Sequence, residues 1–364
     1  MDLKDIPVID AHCHLFDVAY KERNLAELLS LSLEDWDKQL LRQTLVYKRL
    51  LRELSQFYGV DNKESAVLSL RERKCKESYP VYVKNLFDKA NLKCLIVDIG
   101  YKPAALDLKE FKKFVPCRVE FVYRIETLLD DLWQNKKSFD EALQAFRRTL
   151  KEQIQEGIVA FKSIIGYRTG LDITIPDYGE AKKAYEVDND EKTFRDFFFN
   201  ETIKICSESN LPFKVHAAFG ESNVNILKNN PLLLKRILDE PQYKDVKLVL
   251  VHGGYPYCFE AGYLVGMYPN LYLDFSETIP WLTFGSKEAV RKILDVAPFS
   301  KIMYGSDGFI VPELHFFGAL TGKKVFGQII KELVNANILK QEEGLELAEK
   351  VLYKNAKALF KIEI

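Results

Sequence analysis

The chain has 364 residues, a formal net charge of -1 and 47% hydrophobic residues, values that suit a well-packed globule. The near-neutral balance offers no electrostatic footprint for nucleic acid, no apolar run is long enough to span a bilayer, and the first five residues lack the basic-then-apolar pattern of a signal peptide. A cytoplasmic protein is expected, with a small-molecule substrate as partner, no nucleic acid or membrane, and a homo-oligomer left open. Six cysteines at 13, 75, 94, 117, 206 and 258 make no C-x-x-C pair and read as buried thiols.

In chain order, Ile6 to Asp10 read as a short buried strand, with His12 and His14 where it runs out. Residues i and i+2 of a strand share a side, so the two imidazoles project together while Cys13 points away. Two core or solvated histidines are the plain alternative. The remaining supply favours a metal site: of five histidines, His216 and His252 also end apolar strand-like runs, and Asp307 ends another. Imidazole and carboxylate are the ligands of a catalytic divalent ion that keeps a position open for water.

From Tyr20 to about Asn91, leucines recur at roughly helical spacing among Lys, Arg, Asp and Glu, which predicts a helical insert. Such a stripe reads first as packing against the body of the protein. Following directly on the His-x-His strand, the insert is expected to wall the mouth of any site there.

Beyond Lys93, strands and helices alternate. Predicted strands are 94–99, 119–123, 158–162, 212–216, 246–252, 271–275 and 301–307, and the clearest helices are 139–156, 194–209 and 287–296. With the first strand this makes eight βα units and predicts one α/β domain over residues 1–364, a (β/α)8 TIM barrel with a helical insertion at about 20–91 after strand one. In that architecture the chemistry gathers at the C-terminal strand ends, where His12, His14, Lys162, His216, His252 and Asp307 all fall.

Ile9-Asp10-Ala11-His12-Cys13-His14, Phe161-Lys162-Ser163, His216, His252-Gly253-Gly254 and Gly305-Ser306-Asp307-Gly308, in that order, resemble the amidohydrolase superfamily. The closer similarity is to its amidohydrolase-related branch. That branch includes metal-dependent decarboxylases of the aminocarboxymuconate-semialdehyde type and amidohydrolase domains fused to glutamine-synthetase-like domains. The stretches 160–171 and 306–313 look nearest the latter.

The resemblance implies that His12, His14, His216 and Asp307 hold one divalent ion, zinc first and manganese or iron otherwise. Asp307 would act as general base and then acid, and His252 would polarise a carbonyl or shuttle a proton. Lys162 would be a carbamylated bridge to a second ion in a binuclear site, and a substrate contact in the favoured mononuclear one. Arg124 and Arg168 would reach the same rim, where their guanidinium forks suit a substrate carboxylate. The bland reading pairs them with Glu126 and Asp172. Tyr167, Tyr255, Trp281 and Tyr304 could line an aromatic wall or pack in the core. His315 is expected to start a helix rather than ligate, Asp10 to orient a neighbour, and Asp274 and Glu277 to line the pocket without moving protons. Gly253-Gly254 lacks the phosphate-loop pattern.

The expected function is a metal-dependent hydrolase acting on a C–N bond of a small carboxylate-bearing amide or lactam. A non-oxidative decarboxylase is the first alternative, and a catalytically silent barrel serving as a binding or regulatory module the second. Sugar-acid isomerisation stands third, because uronate isomerases share a His-Cys-His opening but match the later motifs less well.

Overall fold

The structure is a computed structural model describing residues 1–101 and 106–363. Eight strands pair in parallel in the order of the chain: β1 (Val8–Cys13), β2 (Leu92–Asp98), β3 (Arg118–Arg124), β4 (Ala160–Ser163), β5 (Phe213–His216), β6 (Leu248–Val251), β7 (Leu271–Asp274) and β8 (Ile302–Met303). Backbone bonds from Ala11 N to Tyr304 O (3.0 Å), Asp307 N to His12 O (2.9 Å) and His14 N to Gly308 O (2.7 Å) join the segment after β8 to β1. Helices flank the ring, giving the (β/α)8 barrel that the alternation predicts. Among the described residues, no helix is long and apolar enough to cross a membrane.

Local chemistry explains the outer helices. Ser138 and Glu141 form a reciprocal capping box at the start of Phe139–Gln155, and Gly157, at φ +87°, follows its end. Inside the ring, Ile9, Ala11, Cys94, Ile96, Val122, Ala160, Val249 and Met303 pack together, with Leu359, Phe360 and Ile362 of the C-terminal segment against them. The barrel is therefore a filled core. Lys214 is buried in it, donating to Ala11 O and lying 3.3 Å from Asp274 Oδ2. All six cysteines are free and five are buried.

Between β1 and β2 the chain forms four helices, Leu25–Leu28, Lys38–Leu41, Leu45–Tyr58 and Glu64–Ala90. Only part of the leucine stripe packs inward. Leu25, Leu29, Leu41, Leu50, Leu51 and Leu54 are buried, whereas Leu33, Leu40 and Leu45 are exposed. The last helix kinks at Ser78, two residues before Pro80, whose ring cannot continue the hydrogen-bond ladder. It is tied to the barrel by Glu313, which accepts from Arg71 Nε (2.5 Å) and the Tyr82 hydroxyl (2.8 Å).

Two strand limits differ from expectation for a physical reason. β1 runs on through Cys13, because its pairing with β2 continues past His12. Residues 304–307 leave the β7 ladder and bond to β1 instead, so β8 itself keeps only Ile302–Met303.

Candidate active site

The C-terminal strand ends open into a cavity of about 390 Å³, lined by His12, His14, Lys162, His216, His252 and Asp307. Their convergence depends on a bulge in β1. Asp10 pairs with Leu95 but Cys13 with Val97, so Ala11 and His12 together face one residue of β2. Strict alternation from inward-facing Ile9 and Ala11 would turn His12 outward; the extra residue returns it to the cavity and sends Cys13 into the outer core. His14 then falls on the same side as His12.

Asp307 is held by backbone rather than by packing. Asp10 accepts from Ser306 N (2.8 Å) and from the Ser306 hydroxyl, which itself accepts from Gly308 N (2.8 Å). Between these anchors Asp307 takes φ +57°, a conformation that a non-glycine residue adopts only when its surroundings impose it. Its Oδ1 lies 3.3 Å from His14 Nε2 and 3.5 Å from His12 Nε2. His315 sits behind this clamp, buried 3.7 Å from Asp10 Oδ2 in the helix Pro312–Asn335 and outside the cavity lining.

His252 follows β6 at φ +69°, and its Nδ1 is 3.0 Å from Ser276 Oγ. That hydroxyl gives its proton to Asp274 Oδ1 (2.5 Å), so it can only accept from His252 Nδ1–H. Nε2 is left with the lone pair. Burial, with Lys162 among the nearby cations, holds the pKa values of His12, His216 and His252 well below that of a free imidazole. All three rings are therefore neutral, as metal ligands or proton acceptors must be.

Ligand atoms of His12, His252 and Asp307 lie within 4.8 Å of one another, and so do those of His12, His14 and Asp98. His216 belongs to neither tight group. Its ring stands 4.7 Å from His252 and 4.5 Å from Tyr167, and its Nε2 is buried with no hydrogen bond among the described residues.

A sequence model of the family described as Amidohydrolase matches residues 182–362, a span holding His216, His252 and Asp307. Over those residues the chain is similar to the amidohydrolase family. Protein fluG of Emericella nidulans is 23% identical over 358 residues, covering 88% of this chain, which spans 41% of that protein's length. A structure from Lactobacillus casei ATCC 334, provisionally assigned as a metal-dependent hydrolase, shares 24% identity and a TM-score of 0.86 over 99% of this chain and 96% of its own. A uronate isomerase from Bacillus halodurans C-125 shares 14% identity and a TM-score of 0.67 over 99% and 94%. At these identities the likeness is one of fold.

The amidohydrolase superfamily implies a divalent ion, and the residues present fit one. Among the described residues, His12 Nδ1, His216 Nε2 and Asp307 Oδ1 are buried without hydrogen-bond partners, and neutral imidazoles beside a carboxylate form a suitable donor set. Lys162 Nζ lies 3.1 Å from His12 Nε2, and burial pulls its pKa down to about 8.

Both arginines line the cavity, paired differently from the sequence alternatives. Arg124 holds Asp98 through Nε (3.0 Å) and Nη2 (2.7 Å), and Arg168 holds Asp130 through Nη2 (2.8 Å). Burial works to raise the Asp98 pKa, but Arg124, His14 and Lys162 outweigh it and keep the carboxyl well below the usual range. In each arginine Nη1 makes no hydrogen bond among the described residues. The two ion pairs should differ in cost. Replacing Arg124 with Met strands a fully buried carboxylate and is expected to lower stability by about 3–5 kcal/mol in urea denaturation. Arg168→Met removes a half-exposed pair and should cost less than about 1 kcal/mol. Equal losses would show that Arg124 does not carry the scaffold.

Of the four aromatic candidates, Tyr167 and Trp281 line the cavity, Tyr304 is core against Gly318 and Gly322, and Tyr255 packs on Phe219. From the insert, Glu27, Leu28, Ser30, Leu31 and Leu33 form part of the wall. Several site residues escaped sequence reasoning. Asp98 ends an apolar run as Asp307 does, which was a usable signal. Ser306 stood in a quoted motif without a role of its own, and Ser276 and Glu221 lie in connections whose pattern announces nothing.

Proposed function

We propose that the chain hydrolyses a C–N bond of a small carboxylate-bearing amide or lactam, using one divalent ion, zinc, held by His12, His14, His216 and Asp307. The observation that carries this reading is the meeting of His12, His14, His216 and Asp307 in one cavity, where His12 Nδ1, His216 Nε2 and Asp307 Oδ1 are buried without a hydrogen-bond partner among the described residues. When bound, a divalent ion supplies an acidified water, its pKa brought from about 16 toward ~7, and a Lewis acid for the carbonyl.

The protein's own groups do the rest. Asp307 takes the proton of the attacking water and returns it to the leaving nitrogen. His252, with its lone pair on Nε2, relays a proton, and cannot donate to the carbonyl while Ser276 holds its Nδ1–H. Lys162, as an unmodified ammonium, faces the negative charge that develops on the carbonyl oxygen. The Nη1 edges of Arg124 and Arg168 receive the substrate carboxylate. Trp281, Phe309 and the insert residues Leu28 and Leu31 reduce water in the cavity.

The test is product analysis on N-acyl amino acids and acidic lactams, reading free amine and carbon dioxide from the same reaction. Amine release well above that of a His12→Ala control is expected. Carbon dioxide without amine would replace this reading with decarboxylation.

A further inference from the structure

The cavity lining carries both signs of charge. Lys162, Arg124 and Arg168 supply the cations, and besides Asp307 it holds Glu277 and Glu221, both close to Tyr167. Glu277 is the unusual member. Only 4% of its side chain is exposed, it lines the cavity, and its carboxylate makes no hydrogen bond among the described residues. His252 Nδ1 lies 3.6 Å from its Oε2, and that N–H is committed to Ser276. Burial, with Asp307 and Glu221 close by, pushes its pKa well above the usual carboxylate range, so the ionised form is costly unless a cation fills the place.

The backbone shows that this placement is specific. Glu277 has φ +58° and ψ -54° three residues after β7 ends, like the strained Asp307 after β8 and His252 after β6. Glu221 approaches the same place from the loop after β5. Its Oε2 accepts from the Tyr167 hydroxyl, and its other oxygen makes no hydrogen bond among the described residues. A side chain at Gly220 would strike that hydroxyl, with a Cβ 2.0 Å away, so the tyrosine reaches Glu221 only because residue 220 is glycine.

We infer that the substrate is a zwitterion, an amino-acid-derived amide whose ammonium group is received by Glu277 and Glu221 while its carboxylate lies against Arg124 and Arg168. An ammonium offers three donors and no acceptor, matching the open oxygens of the two glutamates, whereas a second carboxylate there would be repelled. This rests on the hydrolase reading for where the substrate lies and adds the amine to the carboxylate already assigned.

Binding of unreactive acids tests it without turnover, so loss of the amine preference and absence of amide hydrolysis are separate failures. Calorimetric titration of the protein as purified compares matched pairs that differ only in the amine: succinate with aspartate, glutarate with glutamate, and adipate with 2-aminoadipate. In at least one pair the amino acid is expected to bind about tenfold more tightly, as a charge-assisted contact allows. Glu277→Gln should bring that ratio to about one, by weakening the amino acid and relieving the repulsion of the diacid, and Glu221→Gln should reduce it. Reading a ratio within each variant keeps a general loss of affinity from imitating the effect. Should Glu277→Gln fail to fold, the wild-type ratio and Glu221→Gln still decide. Equal response to both members of every pair, including no response to either, overturns the inference, as does a ratio that survives both substitutions.

Discussion

Asp307→Asn is expected to lower kcat by about 10³–10⁴-fold, the upper part of the range for losing a positioned proton-transfer group. The change is nearly isosteric, and what fixes the residue is its backbone: Asp307 N bonded to His12 O, and Ser306 clamped by Asp10. The fold should persist, with an unfolding temperature close to that of wild type. What disappears is the proton-accepting oxygen 3.3 Å from His14 and 3.5 Å from His12. An amide cannot carry a proton from water to nitrogen, and it binds a divalent ion less well than a carboxylate does. Turnover within tenfold of wild type would remove Asp307 from the chemistry. Unchanged biological activity in a chain that turns over no substrate would bring forward the silent-barrel reading.

The second large effect is on metal content. Elemental analysis of protein purified without added metal is expected to find about one divalent ion per chain, and essentially none in His12→Ala, since three or four protein ligands make a site of this type. His12 is the imidazole common to both tight groups of donors, and it is fully buried at the bulge, so no neighbouring side chain can replace it. The same measurement decides the state of Lys162. An amine whose pKa is lowered to about 8 is partly neutral near physiological pH, which a carbamate requires, and its Nζ is 3.1 Å from His12 Nε2. Close to two ions per chain, falling on Lys162→Met, would make it a bridging carbamate. One ion in both proteins would leave it as the ammonium described above. No ion in the wild type, even after metal is supplied, would sink the proposed mechanism.

Much of this molecule is legible in one dimension. Apolar runs of strand length alternating with capped amphipathic helices have few ways to bury themselves, and an all-parallel ring is the simplest. Because a strand end in such a ring is a place in the site, His12, His14, Lys162, His216, His252 and Asp307 could be gathered from residues separated by as many as 295 positions of sequence. The same logic covered Asp98, which likewise ends an apolar run, and passed it over. Tertiary structure decided what depends on backbone irregularity and on partners distant in sequence. The inward turn of His12 comes from a one-residue bulge against β2, which the i, i+2 pairing of His12 and His14 cannot reveal. Arg124 and Arg168 find Asp98 and Asp130 because neighbouring strands and loops bring those acids within reach, whereas the sequence offered only the adjacent Glu126 and Asp172. The aim of Asp307, His252 and Glu277 rests on positive φ values that surrounding hydrogen bonds and packing impose and that no local propensity favours. Periodicity thus determined which residues reach the head of the barrel, and long-range packing determined which way each one faces, because a side chain's direction is set by torsions that only its distant neighbours can hold.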